Sequence, residues 1–147
     1  MQWTNYQEQL RNSLSEMRRT GDFSDITLIY EDGEVWAHKL VLSTGSTVFN
    51  KMLKKSNISK SQRPSVKLNG ISKEEVGWIL DYIYTGQSFL QLNNVESFLK
   101  KGKLLGLVDI KEVEENLYKF PGKKNPSNKL AQEGYDKGCK VYFTIPK

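Results

Sequence analysis

The chain has 147 residues, 37% hydrophobic, 27% charged and 11% aromatic, which is the composition of one globular domain with a tail. No apolar run approaches the ~20 residues of a membrane span. The opening MQWTNYQEQLRNS is too polar for a secretory signal, and one cysteine (Cys139) with one histidine (His38) makes neither a disulfide framework nor a zinc site. An intracellular chain without metal is the expectation.

In chain order, Gln2 to Arg19 comes first, with Trp3, Tyr6, Leu10, Leu14 and Met17 at spacings of three and four, one apolar stripe on a helix that stops at Thr20-Gly21-Asp22. A helix of about four turns is marginal alone in water, so its stripe must be covered by its own domain or by a partner. Asp25 to Glu31 (DITLIYE) is rich in strand formers, and Asp32-Gly33 before Glu34-Val35-Trp36-Ala37 is a hairpin signal that calls for positive φ at the turn. Lys39 to Lys54 turns helical, with Leu42, Phe49, Met52 and Leu53 on one side and Gly45 interrupting. Lys54 to Arg63 is a polar, basic loop, and Ser65 to Leu68 a short strand ended by Asn69-Gly70.

Ser72 with Glu75 is a capping box for a helix that carries Val76, Ile79, Leu80 and Ile83 inward and closes at Thr85-Gly86. After a strand at Ser88 to Leu92, Asn93 with Glu96 and Asp109 with Glu112 read as caps of two further helices. The first of these has Val95, Phe98, Leu99 and Leu105 as its apolar side, the second Ile110, Val113, Leu117 and Phe120, and Pro121-Gly122 ends it. Strands in front and paired helices behind make an α+β domain, a small sheet flanked by helices.

The net charge of +5 is uneven: residues 1–120 hold 16 Lys/Arg against 15 Asp/Glu, and residues 121–147 hold 6 against 2. A nucleic-acid-binding domain gathers positive charge on a folded face, so no direct nucleic-acid binding by the core is expected. The basic residues belong to a flexible tail. Its end, KVYFTIPK, alternates Val141, Phe143 and Ile145 with Tyr142 and Thr144; it is either a disordered end or a strand added to a sheet edge, its own or a partner's.

No catalytic residues are found. GxxxxGK[ST], GxGxxG and GxSxG are all absent. His38 lies at a strand-to-helix junction, where a packed, hydrogen-bonded role suits it better than that of a base, and Cys139 reads as an incidental thiol beside Lys137 and Lys140.

GDFSDITLIYEDGEVWAHKLVLSTGSTVF resembles the BTB/POZ signature, through Asp25, Ala37-His38-Lys39, Val41-Leu42-Ser43 and Phe49. LDYIYTGQ (80–87) resembles the family's Tyr-Thr/Ser-Gly helix end, and LLGLVDI (104–110) the hinge before its last helix. Trp3, Asn5, Gln7 and Leu10 are similar to the opening of the arthropod tramtrack-type subgroup of transcription-regulator BTB domains, from which Thr4 and Tyr6 depart. The resemblance implies the BTB/POZ fold, a small mixed β-sheet flanked by helical hairpins with an N-terminal dimerisation helix. It divides the chain into an extension with that helix at 1–21, a core at 22–120 and the tail at 121–147.

What the resemblance implies functionally is a homodimer, or a larger multimer, of a nuclear transcription or chromatin regulator, with other BTB proteins or chromatin regulators as further partners. Trp3, Tyr6, Leu10, Leu14 and Met17 would then lie between subunits. Asp25 and Lys39 match family positions that form a charged pocket near the dimer axis, Lys39 keeping the charge of the usual Arg without its planar fork. An alternative use of the fold is a substrate adaptor for a cullin-type ubiquitin ligase. That use calls for a hydrophobic-x-Glu element in the loop after the Phe49 helix, where this chain has the basic Lys54-Lys55-Ser56-Asn57-Ile58-Ser59-Lys60.

Overall fold

The computed structural model describes residues 1–55, 63–119 and 140–144. The basic loop at 54–60, which lacks the cullin-type element, falls mostly outside them, as do the helix end at Pro121-Gly122 and Cys139. Helix α1 (Tyr6–Thr20) leads into strands β1 (Ile26–Tyr30) and β2 (Gly33–Ala37), then α2 (Lys39–Gly45), α3 (Thr47–Leu53) and β3 (Ser65–Lys67). Next come α4 (Lys73–Thr85), β4 (Gln87–Gln91), a 3-10 turn at Leu92–Asn94, α5 (Val95–Leu104), α6 (Ile110–Lys119) and β5 (Lys140–Thr144).

The strands form two sheets. In the first, of order β2-β1-β3, β1 runs antiparallel to β2 (Ile26 opposite Ala37, Tyr30 opposite Gly33) and parallel to β3 (Leu28 opposite Val66). In the second, β4 and β5 pair antiparallel, Gln87 opposite Thr144 and Gln91 opposite Lys140. The tail segment 140–144 is thus a strand on an edge of its own chain.

The core gathers Ile26, Leu28, Leu42, Phe49, Leu80, Tyr82, Leu90 and Phe98, all at most 2% exposed. Capping chemistry sets the helix that carries much of it. Ser72 Oγ accepts from the Glu75 N–H and the Glu75 carboxylate accepts from the Ser72 N–H, while Gly86 closes α4 in the left-handed region.

Three local expectations are corrected. The hairpin turns through Glu31-Asp32, and neither Asp32 nor Gly33 takes a positive φ; the Tyr30 ring lies over Gly33, its hydroxyl 2.9 Å from where a Cβ would stand. Asn93 lies inside the 3-10 turn, and α5 begins after Asn94 without a side-chain cap, since the preceding turn already carries the chain into the helix. Asp109 has φ +60°, the left-handed region instead of the extended geometry of an N-cap, because the chain reverses there between α5 and α6.

The helical run from Lys39 to Lys54 is two helices. Ser46, fully buried, accepts from the Phe49 N–H and donates to the Leu105 carbonyl at 2.5 Å, so it starts α3 and ties it to the end of α5. Gly45 is required by proximity: a Cβ there would meet Ile83 of α4 at 2.7 Å. The 104–110 segment is stitched onto this break by Thr47 N–H to Gly106 O (2.9 Å), Val108 N–H to Gly45 O (3.0 Å) and Tyr82 Oη–H to Val108 O (2.6 Å).

Candidate functional site

The stripe that the sequence lays along α1 divides into two environments. Trp3 precedes the helix and stacks edge-on against Tyr6, ring centroids 5.0 Å apart. Trp3, Tyr6 and Leu10 remain 59%, 48% and 42% exposed, and with Gln9, Asn12 and Ser13 they line a shallow depression along one helix face. Leu14, by contrast, packs against the core, and Met17 is half-buried. The helix charges follow its dipole, with Glu8 in the first turn and Arg18 and Arg19 in the last.

Arg18 fastens the second half of α1 to the domain. Its guanidinium donates to the Asp81 carboxylate of α4 at 2.5 Å and lies 5.6 Å from the Tyr84 ring centroid. Tyr84 in turn holds the β2–α2 junction. Its hydroxyl oxygen accepts the His38 main-chain N–H at 3.0 Å and lies 2.7 Å from His38 Nδ1. His38 Nε2 lies 2.6 Å from the Asp22 carbonyl oxygen, which can only accept, so Nε2 carries the proton and in the neutral ring Nδ1 accepts from the Tyr84 hydroxyl. One chain of contacts therefore runs from Asp81 through Arg18, Tyr84 and His38 to Asp22, just beyond the end of α1. His38 is the packed, hydrogen-bonded residue its junction suggested.

Burial pushes the Tyr84 phenol up to about 12, against the opposing pull of the His38 hydrogen bond and Arg18. Tyr82 is likewise raised to about 12, by burial and by the nearby carboxylates of Asp109 and Glu112.

Asp25 and Lys39 are brought together through the main chain: the Lys39 N–H donates to Asp25 Oδ1 at 2.7 Å, and both residues are half-buried. Asp25 thereby satisfies a free amide in the first turn of α2. Sequence reasoning missed Arg18, Asp81 and Tyr84 as a unit. Arg18 sits off the apolar stripe and its carboxylate partner is 63 positions away, so no local pattern marks the pair. It also missed the Arg63 guanidinium stacked 4.5 Å over half-exposed Trp36.

Among the described residues no helix is long and apolar enough to cross a membrane. The model of the BTB/POZ domain family matches residues 14–120. The chain belongs to the BTB/POZ family. A BTB/POZ domain is a protein-interaction module, and the exposed Trp3, Tyr6 and Leu10 are among the apolar side chains on this one's surface. Of curated relatives, human transcriptional regulator Kaiso is 35% identical over 109 residues, or 74% of this chain. Protein abrupt of Drosophila melanogaster is 30% identical over 113 residues, or 75% of the chain, and the fruit-fly Broad-complex core protein isoforms are 28% identical over 71% of it. The two fruit-fly relatives support the tramtrack-type resemblance.

The chain spans only 12–15% of the length of these three relatives. In solved structures, the BTB domain of human gigaxonin superposes with a TM-score of 0.63 at 28% identity, covering 76% of this chain and 90% of that one. The BTB domain of zebrafish PATZ1 superposes with a TM-score of 0.68 at 22% identity, covering 81% and 96%, which speaks for the fold alone.

Proposed function

We propose that this BTB/POZ domain is a self-association module of a transcription or chromatin regulator acting in the nucleus, and that it dimerises through α1. The observation that carries this reading is the exposed Trp3–Tyr6–Leu10 face on a helix whose other half is fastened to its own domain. A helix held at one end presents the rest of its stripe at a fixed angle, so little ordering entropy remains to be lost on association. A two-fold axis beside Tyr6 and Leu10 would place each face against its copy. Covering each half-exposed side chain contributes on the order of 1 kcal/mol at ~25 cal/mol per Å².

In this reading Leu14 and Met17 support the interface from beneath, as residues shared between the subunit's core and the contact. Asp25 and Lys39 form the charged pocket near the axis, with Asp25 fixing the start of α2 through the Lys39 amide. Other BTB proteins, or chromatin regulators, are the further partners. Relatives such as the transcriptional regulator Kaiso support the regulatory context.

The test is light scattering coupled to size exclusion, on the intact chain and on Leu10→Asp. A mass of twice 16.9 kDa falling to 16.9 kDa in the variant is the expected outcome. A monomer for both would overturn it, and a larger discrete mass for the intact chain would make the α1 contact one of several.

A further inference from the structure

His38 is the one histidine of the chain, buried where the end of β2, the loop after α1 and the Tyr84 side chain of α4 meet. Both ring nitrogens are engaged. Nε2–H donates to the Asp22 carbonyl at 2.6 Å and Nδ1 accepts the Tyr84 hydroxyl at 2.7 Å, a pattern that only the neutral ring can make. The Tyr84 hydroxyl oxygen meanwhile accepts the His38 main-chain N–H at 3.0 Å. Among the described residues, these two groups of His38 are its hydrogen-bond partners.

A proton on Nδ1 breaks this arrangement. Nδ1–H then points at an oxygen that already accepts one N–H, and the phenolic hydrogen is left without an acceptor in a buried place. Tyr84 relieves the conflict only by turning its hydroxyl away or by shifting its ring. The charged groups around the pair pull in both directions. Arg18 of α1, 5.6 Å from the Tyr84 ring centroid, opposes an imidazolium, and Lys39 follows His38 in the chain. Asp25, half-buried ahead of β1 and close enough to act on Tyr84, favours one. Asp81 of α4 is taken up by Arg18, and Asp22 offers the ring its carbonyl while the residue itself lies exposed.

The ring that would shift is the ring on which Arg18 rests, so the disturbance reaches the last turn of α1. The other tie of His38, the Asp22 carbonyl, stands one residue beyond Gly21, whose left-handed turn closes the same helix.

We propose that His38 is a proton-operated latch on the seat of α1. The neutral ring holds Tyr84 and the Asp22 carbonyl in place, and protonation releases Tyr84 and with it the end of the helix. The seat fixes the angle at which Trp3, Tyr6 and Leu10 stand, so the latch governs how firmly that face is presented. It works within one chain and does not rest on α1 dimerising.

With a single histidine, the ring nitrogens can be followed by NMR in the intact chain between about pH 8 and about pH 5, the range an ordinary imidazole crosses. Amide hydrogen exchange over the same range, corrected for the intrinsic exchange rate at each pH, is read at Met17–Gly21 and, for reference, at Phe98–Lys101 of α5. Protection at Met17–Gly21 is expected to fall about ten-fold as the ring takes its proton, the size of one buried hydrogen bond left unmade, while α5 holds. Tyr84→Phe has no hydroxyl to misplace and should lose most of that dependence, whereas Leu10→Asp should keep it.

Constant protection at the end of α1 while the ring protonates would overturn the latch, as would a ring still neutral at about pH 5. An equal loss in α5, or the full dependence persisting in Tyr84→Phe, would assign the effect to carboxylates elsewhere and overturn it too. Dependence that vanishes in Leu10→Asp would place the proton's action at a contact between chains and overturn a latch within one.

Discussion

The two halves of α1 carry the same kind of residue at the same spacing and meet opposite fates. Tyr6 and Leu10 stand in solvent, whereas Leu14, one turn further on, packs against the core, and Arg18, a turn beyond that, is clamped by Asp81 and Tyr84. An apolar stripe therefore specifies that it will be covered, and the neighbouring elements decide by what. Here α4 reaches only the C-terminal half.

The sharpest way to break this comparison is the same substitution on each side of the divide. Leu14→Asp sets a carboxylate against the core and should cost about 2–3 kcal/mol of folding stability by urea denaturation. Leu10→Asp should leave the subunit's own stability within about 0.5 kcal/mol while removing self-association. Equal losses of stability from the two would mean that the helix seats along its full length.

The next effect probes the seat itself. Tyr84→Phe leaves the buried His38 amide without its acceptor and His38 Nδ1 without its donor, and should cost about 1–2 kcal/mol by the same measurement. Its pH signature has a definite sign. Tyr82 and Tyr84 are raised to about 12 in the fold against an ordinary 10, so the fold holds their protons more tightly than the unfolded chain. That contribution is complete below pH 10 and is lost as pH rises from 10 through 12. Phenolate absorbance should accordingly show Tyr82 and Tyr84 titrating late in the wild type, and Tyr82 alone in Tyr84→Phe. A wild type without a late phase that Tyr84→Phe diminishes would contradict the burial of both rings.

Smaller still is Arg18→Ala, which removes a partly exposed ion pair and a ring contact. It should cost about 1 kcal/mol and loosen α1 in hydrogen exchange without unfolding the domain. The smallest is Glu16→Gln. Its partner Arg19 lowers the Glu16 carboxyl through a hydrogen bond on a fully exposed face, and salt and solvent screen such a pair, so no change in the urea midpoint is expected. A measurable loss there would mean that α1 is stabilised as a free helix and not by its seat.

Much of the fold was legible in the sequence because the signals involved are local. Ser72 with Glu75 and the terminal Gly86 announced α4 to the residue, since a cap is satisfied within four positions of chain. Where a local signal failed, a distant group had taken over its task. Ser46 splits one helical run into two, its hydroxyl taken by the Leu105 carbonyl of a distant helix end. Of the candidate site, the five residues of the stripe were legible as a stripe. The charged pocket of Asp25 and Lys39 came from resemblance alone; what the structure shows between them is the Lys39 main-chain N–H donating to Asp25.

By itself the sequence determined the periods, caps and apolar positions, because these depend on neighbours along the chain, and its motifs carried the resemblance to the family. Only the tertiary structure decided which half of α1 is seated, which tyrosine holds His38, and which edge receives residues 140–144. Each of those outcomes is a contact between residues tens of positions apart, set by packing and by the geometry of hydrogen bonds, which no spacing rule along the chain encodes.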